Sequence, residues 1–208
     1  MTKVKICGIM NSQELDYALS AGADAVGFVV EIEASRHNIS SQEAMNLIKQ
    51  VPIFVKSVAV IAPENVLEAE SLAKKTNADI LQIHGLSKPQ ELVKIRSRVH
   101  QKLIAALSPE SQDAFGFDGF VDAILLDTLN DGKLGGTGKT HDWIASALLA
   151  ERLSHPVILA GGLNSRNVGE AIRTVKPYAV DVSSGVEADG KKDPEKIESF
   201  IRKVKQCP

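Results

Sequence analysis

The chain has 208 residues, 44% hydrophobic and 24% charged, the length and balance of one globular domain, 1–208, with a substantial core. A formal net charge of −2 gives no electrostatic basis for a nucleic-acid partner, and no apolar run approaches the roughly 18 residues of a membrane helix. Cys7 and Cys207 stand at opposite ends and make neither a disulfide framework nor a zinc spacing, so no metal site is expected. The first ten residues carry Lys3 and Lys5 in a short apolar stretch and are not expected to act as a signal peptide. A reducing cytoplasm is the expected compartment, with Cys7 a free thiol.

The pattern along the chain alternates strand and helix. An apolar run at 4–7 is followed by Asn11 or Ser12, either able to cap a helix whose Leu15, Ala18, Leu19 and Ala21 share a face. A run at 25–30 precedes Ser40 and Glu43, a capping-box spacing ahead of Ala44, Leu47 and Ile48. Runs at 54–60 and 80–84 are followed by Pro63 and Pro89, both suited to first helical turns. The run at 102–107 precedes the weakest unit, 108–119, where Gly116 and Gly119 shorten any helix. The run at 123–127 leads into a glycine-rich loop. The run at 157–160 precedes Asn164, a candidate cap for 168–172. The run at 179–183 is followed by a last helix after Asp193 and Pro194, carrying Ile197, Phe200, Ile201 and Val204.

From Val4 to Ala179 is 175 residues over seven intervals, or 25 residues each, about what one strand, one helix and two short loops need. Eight such units predict a (β/α)8 TIM barrel with eight parallel strands. A doubly wound open sheet is the structural alternative, because periodicity does not separate closed from open sheets.

In such a barrel, functional groups sit where strands end. Cys7 ends the first strand beside Gly8, as an exposed thiol with room for a ligand or as a small buried apolar residue. Asp127 ends the sixth, where partial burial can raise its pKa as a general acid requires; a loop hydrogen bond is the plainer role. Gly161 and Gly162 follow the seventh strand, and Ser183 and Ser184 end the eighth. Loops at these two places match a phosphate site common to many barrels, or are simply tight turns. Arg36 lies in the loop after the second strand and is shaped to hold a carboxylate, though most loop arginines are solvated. His84 ends the fourth strand and faces a sugar or the rim. Asp181 should point to the same side as Ser183. The loop Gly135-Gly136-Thr137-Gly138-Lys139-Thr140 imitates a P-loop, but Walker A needs glycine where Lys133 stands.

The segments Lys5-Ile6-Cys7-Gly8-Ile9, Leu81-Gln82-Ile83-His84-Gly85, Leu125-Leu126-Asp127-Thr128, Gly135-Gly136-Thr137-Gly138 and Leu159-Ala160-Gly161-Gly162-Leu163 occur in that order. Val180-Asp181-Val182-Ser183-Ser184-Gly185-Val186-Glu187 closes the series. Together they resemble the phosphoribosylanthranilate isomerase family of tryptophan biosynthesis, from end to end of the chain. The resemblance implies a cofactor-free Amadori rearrangement of a small-molecule phosphosugar. It makes Asp127 the general acid and Cys7 the general base, sets Arg36 on the anthranilate carboxylate, and gives the loops after strands 7 and 8 the phosphate. These roles require an Asp pKa raised, and a Cys pKa lowered, from their free values.

The arginine loop, Ala34-Ser35-Arg36-His37-Asn38, departs from the family's common SPR or SKR, and His141 stands where Phe is common. The bifunctional isomerase of histidine and tryptophan synthesis is the nearest rival and uses an Asp base where this chain has Cys7. A non-catalytic phosphosugar-binding barrel would share the two glycine turns, and an NTPase would rest on Gly138-Lys139-Thr140 alone. Contact with other tryptophan-pathway enzymes is left open.

Overall fold

A computed structural model of the protein describes residues 1–85, 89–111, 114–128 and 142–207. Eight strands carry the fold: β1 (Lys3–Cys7), β2 (Ala25–Val30), β3 (Lys56–Ile61), β4 (Ile80–Ile83), β5 (Lys102–Leu107), β6 (Ala123–Leu126), β7 (Val157–Leu159) and β8 (Ala179–Val182). Each pairs in parallel with its sequence neighbours. β8 then pairs back on β1 through Lys5↔Asp181, and β1 pairs with β2 through Cys7↔Gly27, so the sheet closes into the (β/α)8 barrel. A two-residue strand, Asn38–Ile39, pairs in parallel alongside the end of β2, and Glu187–Ala188 pairs with Lys191–Lys192 in a small hairpin past β8.

Among the described residues, eight α-helices cover the strands: α1 (Ser12–Ser20), α2 (Ser41–Ile48), α3 (Val66–Thr76), α4 (Pro89–Arg96), α5 (Ala114–Asp118), α6 (Trp143–Ala150), α7 (Val168–Val175) and α8 (Pro194–Lys205). Their starts follow local chemistry. Asn11 caps α1, Ser40 and Glu43 form the full capping box of α2, and Asp193 caps α8 with Pro194 in its first turn. The main core lies between the helices and the outward strand faces, where Leu15, Phe28, Ile61, Leu81, Phe117 and Phe200 are fully buried.

Three expectations shift. Phe54 does not begin a strand: β3 starts at Lys56, and Ile53 and Phe54 are 85% and 94% exposed. A β-branched or aromatic residue fits a strand only where it has a surface to pack on. Pro63 lies ahead of α3, which Asn65 caps. Asn167, not Asn164, precedes α7, and the Asn164 side chain instead accepts from Arg166 N–H.

At the opposite end from the functional loops, one device repeats. Asp24, Asp79 and Asp122 each sit just before an even strand. Each accepts the N–H of the second residue of the preceding odd strand, Val4, Ser57 and Leu103 in turn, and pairs with the first, Lys3, Lys56 and Lys102 respectively. No described helix is long and apolar enough to cross a membrane.

Candidate active site

Alternation along β1 sends Lys5 and Cys7 into the barrel interior. Gly27 on β2 makes space for both. A Cβ there would lie 2.8 Å from Cys7 Sγ, 2.9 Å from Lys5 Cε and 3.2 Å from Lys5 Nζ. Cys7 is buried, as is the Lys5 ammonium, which donates to Gln82 Oε1 at 2.8 Å and Asp181 Oδ2 at 3.0 Å. Asp181 Oδ1 is buried and has no hydrogen-bond partner among the described residues.

His84 belongs to the same network. Gln82 gives its oxygen to Lys5, so its amide nitrogen is the donor to His84 Nε2 at 2.9 Å. His84 therefore carries its proton on Nδ1, a buried donor with no partner among the described residues. Burial, and then the Lys5 charge, lower the His84 pKa to about 4, which keeps the ring neutral.

Asp127 follows β6 and continues its ladder, Asp127 N–H donating to Leu107 O at 3.0 Å. Burial first, and the Asp181 carboxylate second, push its pKa up to about 6, against the Thr128 N–H and the Lys5 charge. That is the direction a general acid needs. Cys7 moves the other way from expectation. Burial pushes its thiol above the usual range, outweighing the downward pull of Lys5, while Asp181 adds to the rise and Lys192 opposes it. A strand-end thiol is readable from sequence, but the cost of enclosing its charge is not.

The loops after β7 and β8 come together. Gly161 and Gly162 have φ of 84° and 62°, left-handed conformations that favour glycine. Asn167 accepts from Asn164 N–H at 2.8 Å and donates to Gly162 O at 3.0 Å, fixing this turn. A Cβ on Gly185 would lie 1.8 Å from Leu163 O, so the turn after β8, Ser184–Val186, rests directly on the turn after β7. Ser183 and Ser184 are half-buried beside it. Gly8, at φ 78°, packs between Ser183 Oγ and the His37 ring, and so ties the first, second and eighth loops together.

Arg36 reaches across this mouth to Glu187, Nη2 to Oε2 at 2.5 Å. Lys192 Nζ donates to Glu187 at 2.6 Å, and His37 Nε2 lies 2.9 Å from Glu187 Oε1 without the alignment of a hydrogen bond. Burial would raise the Glu187 pKa, but His37 and Lys192 outweigh it and hold the carboxyl at about 2. Lys192 is buried and also donates to Ser183 O and Oγ at 3.2 Å. Sequence reasoning does not single out Lys5, Gln82, Glu187, Lys192 or His37. Lys5 is within reach of that reasoning, since it shares a strand face with Cys7. The glycine-rich stretch 135–140 lies outside the described residues, and among those described no group of three or more His, Cys, Asp and Glu could hold a metal.

A closed parallel barrel that gathers a thiol, a raised carboxyl and two glycine turns at its strand ends has the layout of a barrel enzyme. A family profile described as N-(5'-phosphoribosyl)anthranilate (PRA) isomerase matches residues 4–203. The N-(5'-phosphoribosyl)anthranilate isomerase of Methanothrix thermoacetophila is 54% identical over 207 residues, covering 100% of both chains. The crystal structure of phosphoribosyl anthranilate isomerase from Thermotoga maritima superposes with a TM-score of 0.86 at 36% identity, covering 99% of each chain. Another such isomerase, solved in complex with reduced 1-(o-carboxyphenylamino)-1-deoxyribulose 5-phosphate, gives a TM-score of 0.83 at 34% identity, with 99% of each chain covered. The chain belongs to the N-(5'-phosphoribosyl)anthranilate isomerase family and is an isomerase.

Proposed function

We propose that this isomerase converts N-(5'-phosphoribosyl)anthranilate to 1-(2-carboxyphenylamino)-1-deoxyribulose 5-phosphate in tryptophan biosynthesis, with Asp127 as general acid and Cys7 as general base. The observation that carries the roles is the Asp127 carboxyl, raised to about 6 at the end of β6, in the same barrel mouth as a buried thiol. Membership of the family supports the substrate, and a relative solved with the reduced product analogue supports a phosphosugar in this mouth. A reducing cytoplasm suits a base that must remain a free thiol.

Asp127 gives its proton to the ribose ring oxygen as the C1–O bond breaks, and the anthranilate nitrogen lone pair forms the C1=N bond. The resulting cationic imine acidifies C2–H. Cys7 thiolate takes that proton, and the C–H electrons become the C1=C2 bond of an enolamine while nitrogen regains its lone pair. The enol then ketonises, its O–H proton replaced by one at C1. Cys7 has gained one proton and Asp127 lost one, so exchange with solvent resets both. Neither step calls on a cofactor.

Arg36 holds the anthranilate carboxylate with the N–H groups that Glu187 leaves free. The turns at Gly161, Gly162, Ser183 and Ser184 take the phosphate. His84, neutral and with an Nδ1–H unpartnered among the described residues, and Asp181, with an Oδ1 likewise unpartnered among them, are placed for sugar hydroxyls.

The test is turnover of freshly generated phosphoribosylanthranilate, followed by loss of its fluorescence, in wild type, Cys7→Ser and Asp127→Asn. Each variant should bind substrate and lose roughly 10²–10⁴-fold in rate, as removal of a positioned acid or base typically does. Turnover within a few-fold of wild type in either variant overturns that residue's role.

A further inference from the structure

The buried Lys5–Asp181 pair has more contacts than a structural ion pair needs, and their placement is informative. Lys5 is directly opposite Asp181 in the β1–β8 ladder and two residues before Cys7 on the same face. Cys7 Sγ and Lys5 Nζ lie 2.8 and 3.2 Å from one common point above Gly27, so they are at most about 6 Å apart. The ammonium is 4% exposed. It spends one hydrogen on Gln82 and one on Asp181, which leaves a third donor for a further partner.

We propose that Lys5 is a positioning residue for the isomerase reaction, the buried counter-charge that stabilises the thiolate of Cys7, with Asp181 and Gln82 fixing the ammonium beneath it. The proposal rests on Cys7 being the base. A thiolate enclosed in an apolar barrel is costly without a neighbouring cation. Among the described residues, the charged groups that act on Cys7 are Lys5 from its own strand, Asp181 from β8 and Lys192 from the hairpin past β8; β2 and β3 present Val29, Val58 and Val60. Of the two cations, Lys5 acts on the thiol more strongly than Lys192. Lys192 is committed to Glu187 and Ser183.

The test uses a Cys207→Ser background, so that Cys7 is the one thiol, and follows iodoacetamide alkylation and thiolate absorbance against pH. Lys5→Gln should slow alkylation at neutral pH about tenfold, the equivalent of one pKa unit, and move the midpoint upward. In the same variant kcat should fall with KM little changed, and Lys5→Arg should restore most of both. Asp181→Asn should shift the alkylation midpoint downward, because the negative charge competing for Lys5 is gone. Lys5→Met, uncharged and similar in length, repeats the charge-removal test if Lys5→Gln fails to fold. A midpoint that stays at the wild-type value in folded Lys5→Gln, or in Lys5→Met where Lys5→Gln does not fold, overturns the proposal. The alkylation readout is independent of turnover. An active Cys7→Ser would remove the base role while leaving the measured shift intact, so the two failures are distinguishable.

Discussion

Arg36 illustrates how one side chain is prepared before a ligand arrives. Its side chain is 55% exposed yet anchored on one edge of the guanidinium by Glu187, whose side chain is 5% exposed and whose carboxylate is held charged by Lys192 and His37. A fork so anchored loses less rotamer freedom when its other edge takes up a carboxylate. Charge-assisted hydrogen bonds contribute about 1.5–3 kcal/mol, so Arg36→Met should raise KM roughly 10- to 100-fold. In the proposed reaction the carboxylate assigned to Arg36 takes no part in the bond changes, so kcat should change little. Steady-state kinetics on the same substrate checks the split. An unchanged KM would mean that another cation holds the anthranilate.

The strand and helix units belong to the next scale, and here the sequence is most readable. β-Branched runs at near-constant spacing give the eight units, and Ser40 with Glu43 and Asp193 with Pro194 mark helix starts by chemistry that needs no tertiary partner. Site residues at strand ends are legible for the same reason: a period-two strand fixes which way Cys7, Asp127 and Asp181 point. What is not legible depends on contacts between distant units. Gln82 acquires its role only when β4 faces Lys5 of β1, and Glu187 and Lys192 only when the hairpin past β8 meets the loop after β2; the rise of the Cys7 pKa follows from enclosure that no local pattern records. The Asp24, Asp79 and Asp122 device lies between these cases, since each aspartate precedes a strand in sequence but its N–H partner comes from the strand before. Asp122 is the most heavily engaged. Burial opposes its charge, but Lys102, the Leu103 N–H and Arg96 hold its pKa at about 2. Asp122→Ala leaves the Leu103 N–H and two cations without their acceptor. It should destabilise the protein by about 1–3 kcal/mol, lowering Tm by roughly 2–4 °C for each kcal/mol in a chain of this size. Because a depressed carboxylate stabilises above its unfolded pKa and loses that effect as pH falls toward its folded value, the gap between the two proteins should narrow as pH falls from about 4 toward 2. A Tm difference that holds constant through that window would assign the loss to packing instead.

At the scale of the whole molecule, closure of β8 onto β1 brings residues near the two ends of the chain side by side, and the titration of the site becomes a property of the closed barrel. Asp127, Asp181, Lys5 and Cys7 come from β6, β8 and β1, and each of the two reacting groups feels the Lys5–Asp181 pair. Asp127 titrates at about 6 and Cys7 above the ordinary thiol range, so between those values the prevailing pair is carboxylate with thiol, the reverse of the working form. The working form, carboxylic acid with thiolate, is then a constant minority across the interval. Below about 6 it falls because the thiolate fraction drops tenfold per pH unit while Asp127 is already fully protonated. In the alkaline range it falls because Asp127 protonation drops while the thiolate is complete. The expected kcat/KM profile rises to a break near 6, runs flat, and descends above the thiol's value, the breaks belonging to the coupled pair rather than to the step each residue performs. Substrate phosphate also titrates near 6, so a second enzyme is needed to assign the acid break. Asp181→Asn removes the like charge that helps raise Asp127 and should move that break to lower pH, whatever it does to the amplitude; a break due to phosphate would not move. An acid break at the same pH in both proteins would show that Asp127 does not set it, and the raised carboxyl would lose its place in the mechanism.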